Sequence, residues 1–135
     1  MSRLRFATLA IALCIAVPAL AVEPDDPPIY VAYYWNARPG REAAYEEYIR
    51  TVALPIDDEA RRSGAFEELR TYVPDAPNGT WTHLRVFRVR DQAQLEAFGA
   101  AMDAAGKRLW PDAEKRPKAD DLRDLVKREV WKSFH

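Results

Sequence analysis

The stretch IYVAYYWNARPGREAAYEEY, from Ile29 to Tyr48, decides the fold. Its first eight residues, all but Ala32 and Asn36 β-branched or aromatic, show almost no polar alternation, the composition of a strand covered on both faces. Pro39-Gly40 then supplies a turn, and from Arg41 onward Tyr45, Tyr48, Ile49, Val52 and Ile56 recur at three- and four-residue steps, which draws one apolar stripe along a helix. Pro55 removes a backbone donor and crowds the turn before it, so a bend or break is expected near Leu54, with the last turn ending at Gly64.

Downstream the same order of elements returns. Ala65 to Val73 alternates Phe66, Glu68, Arg70 and Tyr72 against Glu67, Leu69, Thr71 and Val73, which suits a strand near a sheet edge, and Pro74 to Gly79 makes a turn. Trp81 to Val89 reads as the third strand, with Trp81, His83, Arg85, Phe87 and Val89 on one face, forming a hairpin with the second. Asp91 and Gln94 then stand in capping-box spacing. They open a helix that should bury Leu95, Phe98, Ala101, Met102 and Leu109 and stop at Trp110, before Pro111. Gly99 and Gly106 each weaken that helix by about 1 kcal/mol relative to alanine. Asp120 or Asp121 is placed to cap a short helix through Val126. Lys127 to Phe134 alternates again as a fourth strand, although a terminal helix would gather Leu122, Leu125, Val126, Glu129 and Val130 on one side.

Upstream, Arg3 and Arg5 precede an apolar run from Phe6 to Val17, and Ala19-Leu20-Ala21 offers small residues at the alternate positions a signal peptidase accepts. The run is shorter than the roughly 20 residues of a membrane span. Residues 1–21 therefore read as an export signal, giving a periplasmic or extracellular protein with no membrane attachment after cleavage. Leu13 is not the small residue expected before a lipid-bearing cysteine at Cys14. Residues 22–28, with three prolines and three acids, read as a solvated tether, and 29–135 as one domain. Without Arg3 and Arg5 the 20 basic residues become 18 against 21 acidic, a formal charge of −3, which argues against a nucleic-acid partner. The single cysteine leaves with the signal, so thiolate catalysis and disulfides are excluded for the mature chain.

The order strand, helix, strand, strand, helix, strand defines an α+β, ferredoxin-like βαββαβ fold with both helices on one face of an antiparallel sheet. The other face then needs cover. With residues such as Trp81 and Phe87, or Tyr33 and Trp35, on it, the expected cover is a second copy of the chain.

Ala37-Arg38-Pro39-Gly40-Arg41-Glu42 after a first strand, followed by Tyr45 and Tyr48 on the helix, resembles the dimeric α+β barrel superfamily, in particular its antibiotic-biosynthesis-monooxygenase-like and NIPSNAP-like branches. The resemblance runs from Ile29 to Phe134 and rests on a structural motif, so it implies a fold and a homodimer more than an activity. Members include cofactor-independent monooxygenases, isomerases and haem-degrading enzymes. Haem degradation in similar folds uses a histidine on the second helix, and Asp91 to Trp110 contains none; Asn36 alone does not restore the match.

His83 is the candidate proton carrier, being the one histidine inside the domain, flanked at two-residue spacing by Trp81 and Arg85. A histidine hydrogen-bonded within a packed interface is the competing reading. Tyr33, Trp35, Trp81 and Phe87 are expected to line a pocket for a flat apolar ligand or else to be ordinary core. Arg70 and Arg85 are placed to grip a carboxylate, with Glu68 as an intramolecular alternative for either. One internal histidine with scattered acids forms no metal-ligand grouping, and no phosphate loop or nucleophile elbow occurs, so no metal or cofactor is expected. The leading expectation is a small, partly aromatic molecule bound in the barrel interior by Tyr33, Trp35, Arg70, Trp81 and Arg85. A cofactor-independent monooxygenase or isomerase using His83, and a non-catalytic dimer with a filled barrel, are the alternatives.

Overall fold

The computed structural model describes residues 26–134; the expected export signal, 1–21, and most of the expected tether, 22–28, lie outside the described residues. Four strands, β1 (Ile29–Ala37), β2 (Glu68–Tyr72), β3 (His83–Val89) and β4 (Arg123–Lys132), form one antiparallel sheet in the order β2-β3-β1-β4. Helices α1 (Glu42–Tyr48), α2 (Leu54–Arg62) and α3 (Gln92–Leu109) cover one face of it. This is the ferredoxin-like α+β arrangement.

Local chemistry explains the helix ends. Between α1 and α2 the chain does not break but widens into a π-helical turn, Ile49–Ala53, in which the Leu54 N–H donates to the Ile49 carbonyl. Widening just ahead of Pro55 accommodates a residue with no N–H and a bulky ring, while Thr51 Oγ1 donates to the Glu47 carbonyl at 2.8 Å. The apolar stripe thus continues through the bend. Gly64, at φ +86°, closes α2 with the paired bonds of a Schellman motif: its N–H donates to Arg61 O and that of Ala65 to Ala60 O, both at 3.0 Å. At the start of α3, Asp91 Oδ1 accepts from the Gln94 N–H at 2.8 Å. Gln94 Oε1 reaches back to the Arg90 N–H at 2.7 Å, and its Nε2 donates to Gly64 O, also at 2.7 Å, tying one helix start to the other helix end.

The strand alternation sorts residues between two surfaces. Ile29, Val31, Tyr33 and Trp35 of β1 pair with Val89, Phe87, Arg85 and His83 of β3, and this set faces the helices. Phe66, Phe87 and Phe98 meet edge to face at its centre, with Phe87 5.0 Å from Phe66 and 5.1 Å from Phe98, geometry worth about 0.5–1.5 kcal/mol per pair beyond burial. The open face carries Tyr30, Ala32 and Tyr34 beside Leu84, Val86 and Arg88. Outside them lie Glu68, Arg70 and Tyr72 on β2, and Lys127, Glu129 and Trp131 on β4.

Several expectations are corrected. Phe87, Tyr33 and Trp35 face the helices, not the open side, because they share parity with buried Val31 and Val89. Trp81 precedes β3 and leaves that parity: its ring packs edge-on against open-face Tyr34 at 5.7 Å. Phe66 is buried in the core rather than sharing a face with Glu68, since β2 begins two residues later. Leu109, in the last turn of α3, is 42% exposed. No helix forms at Asp120 or Asp121; β4 starts at Arg123, because the Arg38 N–H donates to the Leu122 carbonyl and draws the segment alongside β1. A bulge lies within β4: Tyr34 opposes Lys127 but Trp35 opposes Leu125, leaving Val126 as the extra residue.

Candidate functional site

A cavity of about 350 Å³ lies between the sheet and helices α2 and α3. Tyr33 and Trp35 form one wall, their rings nearly parallel at 10° with centroids 6.4 Å apart, as alternation along β1 requires of two aromatics on one face. Phe87 and Phe98 close the apolar side, and exposed Asp103 marks the rim.

Its polar wall is an ion pair. Arg85 of β3 donates through Nη2 to Asp57 of α2, and both residues are nearly sealed, at 5% and 4% exposure. Burial pushes the Asp57 carboxyl above the usual range, opposed by the adjacent guanidinium of Arg85. A pair this deep is costly to desolvate, and neither charge can be removed alone without stranding the other. Arg85 is therefore held in place by Asp57, and also contacts Thr71 Oγ1 at 3.5 Å.

Gly99 of α3, exposed and one helical turn before Asp103, stands at the rim. A Cβ added there meets nothing within 4 Å, so no neighbouring atom excludes a side chain. The helix bears the cost of a glycine, and the space remains open.

At the β4 side, the Arg123 guanidinium lies 3.6 Å over the centre of Trp35 and donates through Nη1 to the Tyr45 hydroxyl at 2.9 Å. Burial pushes the Tyr45 phenol up, with Arg123 pulling against it. Arg123 has no carboxylate within 4 Å among the described residues.

The five ligand-contact residues expected from the sequence separate into three places. Tyr33, Trp35 and Arg85 line this cavity. Trp81 lines a second, about 520 Å³, bounded by Pro74, Glu42, Glu46 and His83. Arg70 lies on the open face, its Nε donating to Glu68 Oε1 at 2.6 Å, so Arg70 and Arg85 cannot hold one carboxylate between them. On β2 the residue opposite Arg85 is Thr71, and Arg70 opposes Val86 on the other face. His83 is 4% exposed, edge-on to Tyr45 at 4.7 Å; its Nδ1 meets Thr82 Oγ1 at 2.9 Å, and its Nε2 has no partner among the described residues. Burial lowers its pKa; Glu46 opposes that, and Arg85 and Arg123 add to it. It faces the helix layer and not the far side of the sheet. No group of three or more histidine, cysteine or acidic side chains is placed to hold a metal among the described residues.

Asp57, Gly99 and Arg123 escape the sequence reading of the site. Asp57 had a visible signal: it stands four residues after Ala53 and three before Ala60, an acid in the buried stripe of its helix. Arg123 had none, since only the pairing of β4 with β1 brings it over Trp35.

No protein-family profile matches the sequence, and no curated protein does. Solved structures do. The chain is similar to HapK from Hahella chejuensis at 11% identity and a TM-score of 0.55, over 78% of this chain and 92% of that one. It is similar to PA3566 from Pseudomonas aeruginosa at 18% identity and a TM-score of 0.52, over 82% and 96%. An ethyl tert-butyl ether D (EthD) family protein from Bacillus halodurans matches at 13% identity and a TM-score of 0.50, over 80% and 99%. At these identities the likeness is one of fold: the chain shares the ferredoxin-like α+β architecture of these proteins.

Proposed function

We propose that this chain is an exported homodimer of the dimeric α+β barrel group that binds a small, partly aromatic molecule in the cavity between sheet and helices. The carrying observation is the lining itself, in which Tyr33 and Trp35 meet the buried Asp57–Arg85 pair, while exposed Gly99 at the rim carries no side chain over the opening. An opening of this size falls at the lower end of the ~300–1,000 Å³ range of ligand sites and has their mixture of aromatic walls with a few fixed polar groups. The subunit association is supported by the open face. Its central strip of Tyr30, Ala32, Tyr34, Leu84 and Val86 is flanked by charges already paired within the subunit: Glu68 with Arg70 at 2.6 Å, and Lys127 with Glu129 at 3.0 Å. Arg88 on the same face shares Glu68 at 3.6 Å, its Nε without a hydrogen bond among the described residues, so each cation named there faces an acid of its own subunit when two copies meet.

Gly99→Leu tests the site. The leucine should fill the cavity and reduce binding of a naphthalene-based probe at least tenfold, followed by tryptophan emission, while the circular dichroism spectrum is kept. Unchanged affinity would place the ligand elsewhere and end this reading.

A second reading has its own observation. His83, buried with Nε2 unpartnered beside the cavity that Trp81 lines, suits a proton carrier in a cofactor-independent monooxygenase or isomerase, provided that Nδ1–H donates to Thr82 Oγ1 and leaves Nε2 as the acceptor. Turnover of an aromatic substrate that survives His83→Ala would dismiss it.

A further inference from the structure

We infer that the ligand of the cavity is a planar aromatic carboxylate, held by Arg123; the inference rests on the cavity being the ligand site. Most arginines near the sheet have an acid of their own: Arg38 has Asp124 at 2.9 Å, Arg70 has Glu68, and Arg85 has Asp57. Arg123 does not. Its guanidinium is fixed instead by aromatic groups, 3.6 Å over Trp35 and 5.2 Å from the centre of Tyr45, with one N–H spent on the Tyr45 hydroxyl. A guanidinium has five N–H groups in a rigid fork, so the rest have no acceptor among the described residues.

No acid of the site lies within 4 Å of Arg123 among the described residues, and its charge reaches Asp57 only as a lesser influence behind Arg85. Asp57 is taken up by Arg85, and Asp103 is an exposed rim residue whose field is screened by solvent. The opposite end of the aromatic wall repeats the arrangement. Arg128 donates through Nε to the Tyr33 hydroxyl at 3.2 Å and likewise has no carboxylate within 4 Å among the described residues. A flat wall bracketed by two aromatic-pinned guanidinium groups fits a ligand with one planar apolar body and an anionic edge. A carboxylate matches the fork of Arg123 through two parallel hydrogen bonds, which a neutral hydroxyl cannot do.

The experiment compares 2-naphthoate with 2-naphthalenemethanol, titrated into the purified protein at low and high salt and followed by tryptophan emission and calorimetry. Naphthoate should bind at least tenfold more tightly at low salt and lose most of that advantage at high salt. Arg123→Gln should abolish the preference, bringing the affinities of the two probes within twofold of each other, whereas Arg123→Lys should keep part of it. Equal binding of the two probes to the unsubstituted protein would overturn the carboxylate inference and leave the cavity reading intact. Failure of both probes to bind would overturn both. The comparison on the unsubstituted protein decides even if a variant does not fold.

Discussion

The two faces of the sheet are built from alternate residues of the same strands, yet they treat charge in opposite ways. Toward the helices, one carboxylate and one guanidinium are sealed together as Asp57 and Arg85, His83 is buried with a bare nitrogen, and Arg123 rests on aromatic rings without an acid. On the open face charges lie beside opposite charges, Arg70 and Arg88 sharing Glu68 and Lys127 facing Glu129, and the strip between is apolar. The first surface holds unmet polar capacity in a confined space, which suits a small polar-edged molecule. The second exposes chiefly apolar area, with the Arg88 Nε–H left without a hydrogen bond among the described residues, which suits a copy of itself.

The largest effect should come from breaking the sealed pair. Arg85→Met leaves the Asp57 carboxylate buried without its cation and should cost about 3–5 kcal/mol in urea unfolding, while the double variant Asp57→Leu/Arg85→Met should recover most of the loss. A single-variant loss below about 1 kcal/mol would mean that the pair is solvated and that the two faces do not differ in this respect. Val86→Asp places one carboxylate per subunit at the centre of the open face. It should weaken subunit association by about 2–3 kcal/mol, roughly a hundredfold in dissociation constant by sedimentation, without altering ligand binding. A protein that sediments as a single subunit before any substitution would remove the role given to that face.

The smallest effect concerns His83. Its pKa is lowered in the folded state, so below pH about 6.5 the unfolded chain takes up a proton that the folded one refuses. The stability held above that pH is lost as pH falls toward the folded-state value. Glu46 limits the shift, while Arg85 and Arg123 reinforce it. Unfolding free energy measured from pH 7.5 to 5.5 should therefore decline, and His83→Phe should flatten the part of that decline due to this proton. An unchanged slope would assign the pH dependence to other groups.

The architecture was legible in the sequence because its signals are local. The aromatic run of β1, the stripe from Tyr45 to Ile56 and the Asp91–Gln94 pair each act within a few residues. The grouping of His83, Arg85, Phe87 and Val89 on one face was equally plain, but not the direction of that face. β1 has only Asn36, near its end, to show which parity meets water, and so its aromatics suit either surface in the sequence alone. The pocket was less accessible still. Asp57 lies 28 residues before Arg85, and Arg123 reaches Trp35 through a strand pairing nearly 90 residues away, from a segment whose aspartates mimic a helix cap.

The extra residue in β4 determines which charge arrives at that pocket. With Val126 set aside, Arg123 stands opposite Ala37 on the inward side; in an uninterrupted ladder continuing from Tyr34 and Lys127, Asp124 would occupy that place. A strand that took Val126 into the ladder would thus exchange cation for anion over the indole of Trp35. The preferred partner molecule would change sign without any amino acid of the pocket being replaced.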